Sequence, residues 1–299
     1  MIGYLHLRRR LIDRISSTWI VLSVVLLLLL PLAIELGLAI ESLPIVKAFP
    51  LRELLTSSDW SPMEGKFGFY TFIISSVWIT AIAFVLSAPV CILSAIYLTQ
   101  YAHARILYIM NLIIDVMAGI PSVVYGVGGV LVVVPFIKDH LAPLFNINSS
   151  GYSVLAGGIV LAIMSIPYML NMLIDIFKGM PLEIKEASLS LGADVWQTVK
   201  FVLIRKGSSG IVAALGLGIS KSLGETIAVL MVVGNVARIP QNMFQPGYPL
   251  PALLANNYGD MMSIPAYEAA LMFAALILFL IIMLFNVFTN ILIYKQTKE

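Results

Sequence analysis

The residues best suited to chemistry in this chain are charged side chains inside long apolar stretches. Lys221 and Glu225 stand four residues apart in one such stretch, so on a helix they would share one face within pairing distance. Asp115 lies in an earlier stretch and could reach Lys221. A charge at mid-membrane costs about 2.5–3.5 kcal/mol on insertion scales and usually faces a cavity or a partner. These residues therefore indicate either a gate or pathway for a polar solute, or a structural ion pair.

A second set of polar residues is concentrated in one segment, 186–206, between two apolar stretches. It reads EASLSLGADVWQTVKFVLIRK, so that Gly192 follows an acidic start and precedes an amphipathic run. The apolar residues of that run recur at roughly helical spacing. The pattern predicts a short helix, a glycine break and a second helix, which together form a rigid lever at one membrane face.

Six apolar stretches, each long enough to cross a bilayer, must position these residues. Apolar residues make up 60% of the chain and charged residues 11%, with a mean hydropathy of +0.98; soluble domains carry about 25% charged residues. Backbone groups in lipid must be hydrogen-bonded internally, which favours helices over open strands. The predicted fold class is an all-α membrane protein with six transmembrane helices, at 19–40, 69–98, 106–137, 154–177, 211–236 and 267–294.

Glycine and proline should interrupt the third of these stretches. It reads GIPS at 119–122, and further glycines follow at 126, 128 and 129. The pattern predicts a bend or break, which is tolerated where protein or a water-filled cavity satisfies the freed backbone; close helix packing by the glycines is the alternative. In the fifth stretch Gly216, Ser220 and Gly224 recur every four residues and favour close approach of another helix.

The distribution of lysine and arginine sets the orientation. Segments on the side of the N-terminus carry twelve of them and segments on the opposite side carry five, which predicts that both termini are cytoplasmic. We expect a first region at 1–68 (tail, first helix and outer segment), a five-helix core at 69–294 with its cytoplasmic loop at 178–206, and a tail at 295–299. The outer segment, 41–68, is either a folded cap or a plain connector.

Motifs of ATP-binding proteins, zinc enzymes and serine hydrolases are absent from the sequence. No G-x-x-x-x-G-K-[ST], HExxH or GxSxG occurs, so we expect a chain that is not an enzyme and binds no ATP or other cofactor by itself. The three histidines are isolated, which gives no metal-ligand spacing. The single cysteine, Cys91, is expected to act as a small buried apolar side chain.

Three runs carry a resemblance to a known family. They read AGIPSVVY at 118–125, GETIAVLMVVGN at 224–235 and QPGYPLPALL at 245–254. In this order they resemble the PstC-type subunits of phosphate-import ABC permeases, and DWSPMEGKF at 59–67 resembles the outer segment of that family. The lever-like segment described above resembles the EAA loop of ABC import permeases in general. The resemblance covers most of the chain and implies the MetI-like permease bundle.

The resemblance also implies a function and a set of partners. The function is that of a permease subunit in an ATP-driven importer of inorganic phosphate, in the plasma membrane of a prokaryote (the cell inner membrane if Gram-negative). The implied partners are a PstA-type permease, two ATPase subunits that bind ATP and Mg, an external phosphate-binding protein and membrane lipid, with no nucleic acid. The loop would dock on the ATPase through Glu186, Ala187, Gly192, Asp194 and Trp196.

Charge balance limits how a phosphate dianion could be handled. One lysine, Lys221, stands against Asp115 and Glu225, so a tight permanent site is disfavoured and a transient route is expected. Backbone N–H groups at the glycine-rich bend would pass the anion on, and Arg238 would attract it at the outer mouth. The hydroxyls expected along the route belong to Ser122, Ser222 and Thr226.

Two alternatives and two departures from the family pattern stay open. The alternatives are an ABC permease for another oxyanion, such as sulfate or molybdate, and a membrane transporter or enzyme without an ATPase. Ile204-Arg205 stands where the EAA motif usually ends in Leu-Pro, and Lys221 stands where the family usually has arginine. Lysine lacks the planar fork that grips an anion with two bonds, which argues against a bidentate clamp there.

Overall fold

Helices dominate the computed structural model, which describes residues 2–259 and 264–298. In chain order the helices are α1 Ile2–Ala48, α2 Leu51–Thr56, α3 Tyr70–Gln100, α4 Ala104–Gly119, α5 Ser122–Leu144, α6 Val154–Lys178, α7 Leu182–Ser190, α8 Val195–Lys206, α9 Ser208–Leu223, α10 Ile227–Val232, α11 Leu250–Asn257 and α12 Pro265–Lys298. The strands in the described residues are β1 Trp60–Ser61 and β2 Lys66–Phe67, which pair antiparallel. The prediction of an all-α membrane fold is confirmed.

Five helices in the described residues are long and apolar enough to cross a membrane. They are the Ser16–Ala48 part of α1, the whole of α3, α5 and α6, and the Pro265–Gln296 part of α12. A sixth span is obtained if α8 and α9, which are bent by 69° at their junction, count as one. The second and fourth predicted spans agree with α3 and α6 to within a few residues.

The predicted break in the third span is confirmed, whereas the fifth predicted span is wrong as a continuous helix. The third is divided into α4 and α5 because Ile120 and Pro121 are extended, with ψ of 127° and 143°. Proline lacks an N–H and disfavours helical geometry at the residue before it. The fifth ends as a helix at Leu223, and α10 begins three residues after Gly224. Both breaks lie beside residues expected to handle the solute.

The bundle centre is formed by α3 and α6, which pack along each other. Gly158 allows the close approach, because a Cβ at that position would overlap the side chain of Ile82. Helix α9 packs against α6 and α12, and α1 packs along α12 at the edge of the bundle. The most apolar window of α1 has no buried residues, which suits a helix surrounded mainly by lipid.

The outer segment is a folded cap, as the first of the two alternatives predicted. The ring of Trp60 makes edge contacts with Phe67, Phe69, Phe72 and Tyr267 at centroid distances of 5.0–5.9 Å. The same apolar cluster includes residues of α11 and the first half of α12. The cap is thus packed onto the core, while the predicted domain boundary at residue 68 stays a prediction.

The proline-rich segment before α11 is fixed to the central helix α3 by two buried serines. Ser75 Oγ accepts the N–H of Tyr248 at 3.2 Å, and Ser76 Oγ accepts the N–H of Leu250 at 2.9 Å. Gly247 lies so close that a Cβ there would stand 3.0 Å from Ser75 Oγ. This part of the predicted outer mouth is therefore held within the bundle, and residues 260–263 of it lie outside the described residues.

Candidate substrate pathway and coupling face

The break between α9 and α10 places two polar residues inside the bundle. Ser222, at the end of α9, is 7% exposed, and its Oγ lies 2.9 Å from the Oγ of buried Ser165 on α6. Ser222 and Glu225 line a narrow cavity of about 10 Å³ together with Ser76 and Thr80 of α3. Hydroxyls and a carboxylate therefore meet at a point where the backbone is not helical.

The predicted pairing of Lys221 with Glu225 is wrong. Helix α9 ends at Leu223, so the four-residue helical geometry does not extend to Glu225. Lys221 Nζ lies 4.4 Å from the ring centroid of Tyr168 on α6, whereas Glu225 faces the cavity. The described residues contain an ion pair only between Lys66 and Glu64. The Lys221 ammonium thus has an aromatic partner and no carboxylate partner in this part of the chain.

A polar stripe on α6 meets the predicted pathway residues. We use this name for Ser165, Tyr168 and Asn171, which stand three residues apart and share one face of the helix. Their respective contacts are Ser222, Lys221 and Asp115. The predicted site did not include the stripe, although polar residues at helical spacing in an otherwise apolar span are a readable signal.

Asp115 lies near Lys221 but does not bind it. Its Oδ1 accepts from Asn171 Nδ2 at 3.5 Å, while Tyr168, under Lys221, is one turn away along α6, about 4.5 Å by helical rise. The suggested Asp115–Lys221 contact is therefore absent from the described residues. Lys221 and Asp115 contact different residues of the polar stripe, so their opposite charges attract each other only across that separation.

The glycine-rich segment of the third span both breaks the helix and allows close packing, and different residues serve the two purposes. The freed carbonyl of Met117 accepts the hydroxyl of Tyr125 at 2.7 Å, which satisfies the backbone at the break. Gly126 serves packing, because a Cβ there would lie 3.2 Å from Ala228 Cα on α10. Ser122 begins α5 beside the break and is partly exposed. The side chains of Ser122 and of exposed Arg238 have no hydrogen bond or ion pair to any described residue.

The small residues of α9 bring α12 close, as predicted. A Cβ at Gly216 would overlap the side chain of Thr289, and Ser220 Oγ donates to Asn286 Oδ1 at 2.7 Å. Gly224 lies beyond the end of α9 but is also near α12, since a Cβ there would lie 4.0 Å from Ile282 Cδ1. Close packing therefore fixes the part of α9 that carries Lys221.

The predicted helix, glycine break and second helix are found in α7, Gly192 and α8. Gly192 has φ of +86°, a left-handed conformation that only glycine adopts readily. Asp194 caps α8: its carboxylate accepts the N–H of Gln197 at 2.7 Å, and the Gln197 side chain accepts the N–H of Asp194 at 3.0 Å. This capping box fixes the direction in which α8 leaves the break.

One side of this helix pair is tied to the bundle. Thr198 is fully buried and shares a hydrogen bond of 2.9 Å with Ser188, which joins α8 to α7. Lys185 Nζ donates to Gln100 Oε1 at 3.0 Å, which joins α7 to the end of α3. Val199 is also buried, within the apolar cluster of α3, α4 and α6. The sequence interpretation had not assigned roles to Lys185, Ser188 or Thr198.

The opposite side of the pair is open. Glu186 and Ala187 are exposed, Trp196 is 53% exposed, and Leu191 is 90% exposed. We call these four residues, with Gly192, the coupling face. Exposed apolar side chains on a structure held rigidly from behind are typical of a docking surface.

The described residues contain no group of three histidine, cysteine or acidic side chains that could hold a metal. Cys91 is fully buried on α3, and its thiol contacts the carbonyl of Ile166 at 3.7 Å. The expected role as a small buried side chain is confirmed.

A bundle of membrane-length helices with a broken polar span and a rigid external helix pair defines a multi-pass membrane transport component. The chain belongs to the family of binding-protein-dependent transport system inner membrane components, whose sequence profile matches residues 89–297. This membership agrees with the prediction of a transport subunit rather than an enzyme.

Relatives within this group align over most of the chain. The phosphate transport system permease protein PstC of Haemophilus influenzae is 29% identical over 95% of this chain and 96% of its own length. The probable PstC of Methanocaldococcus jannaschii is 31% identical over 87% of this chain and 86% of its own length. The probable ABC transporter permease YqgH of Bacillus subtilis is 32% identical, with coverage of 84% and 82%.

A solved structure supports the fold. A chain of the inward facing MetNI methionine ABC transporter superposes with a TM-score of 0.58 at 16% identity, covering 80% of this chain and 99% of that chain. The MetI-like permease bundle implied by the family resemblance is thereby confirmed.

Proposed function

We propose that this chain is a permease subunit of an ATP-driven importer of inorganic phosphate and forms half of the translocation pathway. The identity of the substrate is inferred from the names of the relatives, which agree. Those from Xylella fastidiosa, Haemophilus influenzae and Methanocaldococcus jannaschii are named as phosphate permeases or probable ones, and each aligns with at least 81% of this chain.

The setting of Lys221 supports an anion as the transported solute. A cation over a ring face keeps its charge and leaves N–H donors available, unlike a cation in a carboxylate pair. Next to it lie the Ser222 hydroxyl and the non-helical backbone around Thr226. The carboxylates of Glu225 and Asp115 repel an anion bound near Lys221. The arrangement therefore favours passage of the anion over tight binding.

Two further residues belong to the proposed route. Ser122 is partly exposed beside the break between α4 and α5, and its hydroxyl can exchange hydrogen bonds with a passing anion. Arg238 is exposed beyond α10 and would draw anions toward the outer mouth. The route passes from Arg238 to the break at Gly224 and the polar stripe.

The coupling face gives the site for an ATPase. We assign ATP and Mg to two partner ATPase subunits, one of which docks on Glu186, Ala187, Gly192, Asp194 and Trp196. The second half of the pathway comes from a PstA-type permease, and an external binding protein delivers phosphate. In this assembly the chain lies in the plasma membrane of a prokaryote with both termini in the cytoplasm.

A tagged chain tests the assembly and labelled phosphate tests the substrate. We expect an ATPase and a second permease to co-purify, and we expect excess unlabelled phosphate, but not sulfate or molybdate, to suppress uptake. Recovery of the chain without an ATP-hydrolysing subunit would contradict its assignment to an ATP-driven importer. Equal competition by sulfate or molybdate would instead move the assignment to another oxyanion.

A further inference from the structure

A polar cavity of about 520 Å³ opens between the end of α8, the start of α9 and the end of α12. Its polar lining consists of Arg205, Lys206, Ser208, Ser209 and Gln296. The cavity is distinct from the proposed pathway, because Lys221 lies near the other end of α9, about 20 Å away by helical rise.

The cavity is lined by two cationic side chains that form no ion pair with a described residue. Arg205 and Lys206 are exposed and take part in no ion pair or hydrogen bond within the described part of the chain. None of the described lining residues is acidic. The two serine hydroxyls lie in the first turn of α9, a helix whose start has no side-chain cap, so free N–H groups add to the favourable setting for an anion.

The cavity also lies at a membrane edge. Gln296, in its lining, is the last residue of the apolar span of α12. Phe201, another lining residue, is 62% exposed, so its apolar ring is available for contact with lipid. Basic pockets between helices at this level suit the headgroups of anionic lipids.

We propose that this cavity binds the phosphodiester headgroup of an anionic phospholipid. The Arg205 guanidinium matches the two non-ester oxygens of a phosphodiester at once. Each of these oxygens can accept further hydrogen bonds, which Lys206 and the serine hydroxyls donate. Phe201 lies against the glycerol and upper acyl region. Inorganic phosphate would find the same cations but would leave the ring exposed. A bound lipid would join α8, which carries Trp196 of the coupling face, to α12.

The test measures lipid binding by the purified, intact complex in detergent. Phosphatidylglycerol and phosphatidylcholine are titrated separately and bound lipid is counted by native mass spectrometry. We expect Arg205→Gln/Lys206→Gln to weaken phosphatidylglycerol binding about 30-fold, given the usual contribution of each basic residue to anionic-lipid attraction. The control Lys178→Gln/Lys138→Gln removes two charges as well, at exposed lysines outside the cavity, and like Lys178→Gln alone it should leave binding unchanged. Arg205→Lys should retain most of the binding.

Two further arms make the result decisive. A phosphatidylglycerol with a photoactivatable headgroup should crosslink wild-type protein within 201–209 or at Gln296, which needs no variant to fold. Crosslinks elsewhere, or equal loss of binding in Lys178→Gln, would overturn the proposal. Displacement of the lipid by inorganic phosphate at comparable concentration would assign the cavity to free phosphate and overturn the lipid assignment.

Discussion

At the scale of single residues, the partner of a charge decides what that charge can do. A lysine held by a carboxylate is neutralised, whereas Lys221 is held by the ring of Tyr168 at 4.4 Å. A cation–π contact contributes about 0.5–2 kcal/mol, enough to position the ammonium without removing its charge. The positive charge of Lys221 is thus retained, which is what its proposed role in the anion pathway requires.

The first prediction concerns Lys221. Lys221→Met should abolish phosphate uptake while the complex still assembles, because a side chain of similar size preserves packing; Lys221→Arg should retain substantial uptake. Since Lys221 and Glu225 are not paired, the double variant Lys221→Met/Glu225→Gln should fail to restore transport. Uptake of labelled phosphate is measured at equal complex abundance, with exposed Lys138→Met as the control. Full uptake by Lys221→Met would eliminate the pathway role.

The second prediction concerns Gly192. At φ of +86° a leucine side chain costs roughly 1–2 kcal/mol in the left-handed region, although no atom lies within 4 Å of the added Cβ. Gly192→Leu should therefore change the angle between α7 and α8, so that ATP is hydrolysed without uptake. Gly192→Asn is the matched control, because asparagine tolerates this conformation.

Uptake and hydrolysis are measured on the same vesicles. Glu186→Arg should give the same uncoupling by placing the opposite charge on the coupling face. Normal uptake by a Glu186→Arg/Gly192→Leu double variant would rule out this face as the ATPase dock.

At the scale of elements, two serine hydroxyls hold the segment before α11 against α3. The third prediction is that Ser76→Ala destabilises the protein by about 1–3 kcal/mol, the usual cost of a buried donor left without its acceptor, here the N–H of Leu250. Ser87→Ala is the control, because buried Ser87 bonds only to Ala83 of its own helix. Thermal unfolding in detergent is the measurement. Equal loss of stability in both variants would show that Ser76 has no special role.

Some elements could be predicted from the sequence because their cause is local. The interruption at Pro121 follows from a missing N–H, and the left-handed turn at Gly192 follows from a glycine between two helical patterns. The end of α9 at Leu223 was missed because Gly224 was assigned to a small-residue repeat, whereas it is the C-cap residue of the helix, and glycine disfavours continuation of a helix. The expected Lys221–Glu225 pair failed for that reason.

In the candidate site, too, some residues could be identified from the sequence and others could not. The sequence identified its charged members because charge is rare in an apolar span. The predicted site did not include Tyr168 and Asn171, because their contacts with Lys221 and Asp115 are visible only once the helices are packed. The residues predicted to couple to an ATPase are exposed, while Leu191 was missed and the inward-facing Thr198 depends on contacts between helices.

At the scale of the whole molecule, the apolar membrane-length helices separate the outer cap from the coupling face, so these two regions lie on opposite sides of the membrane. The fourth prediction tests which face is which. Cys91 is buried, so a new cysteine is readily distinguished from it. Met63→Cys, at a site 80% exposed in the cap, should react with an impermeant maleimide on intact cells. Leu191→Cys, at a site 90% exposed on the coupling face, should react only after permeabilisation. The reverse pattern would place the termini outside.

The ring cluster of the outer cap gives the molecule an intrinsic optical reporter. Trp60 sits among four aromatic rings, while Trp196 is half-exposed on the coupling face and Trp19 and Trp78 lie on exposed surfaces of membrane-length helices. An indole among rings emits at shorter wavelength than one in water. Trp19 and Trp78, in contact with lipid, would emit in the same range as Trp60. In a Trp19→Phe/Trp78→Phe variant the two ends of the molecule therefore carry spectrally separable fluorophores, and opening of one end or docking at the other can be followed without attaching any dye.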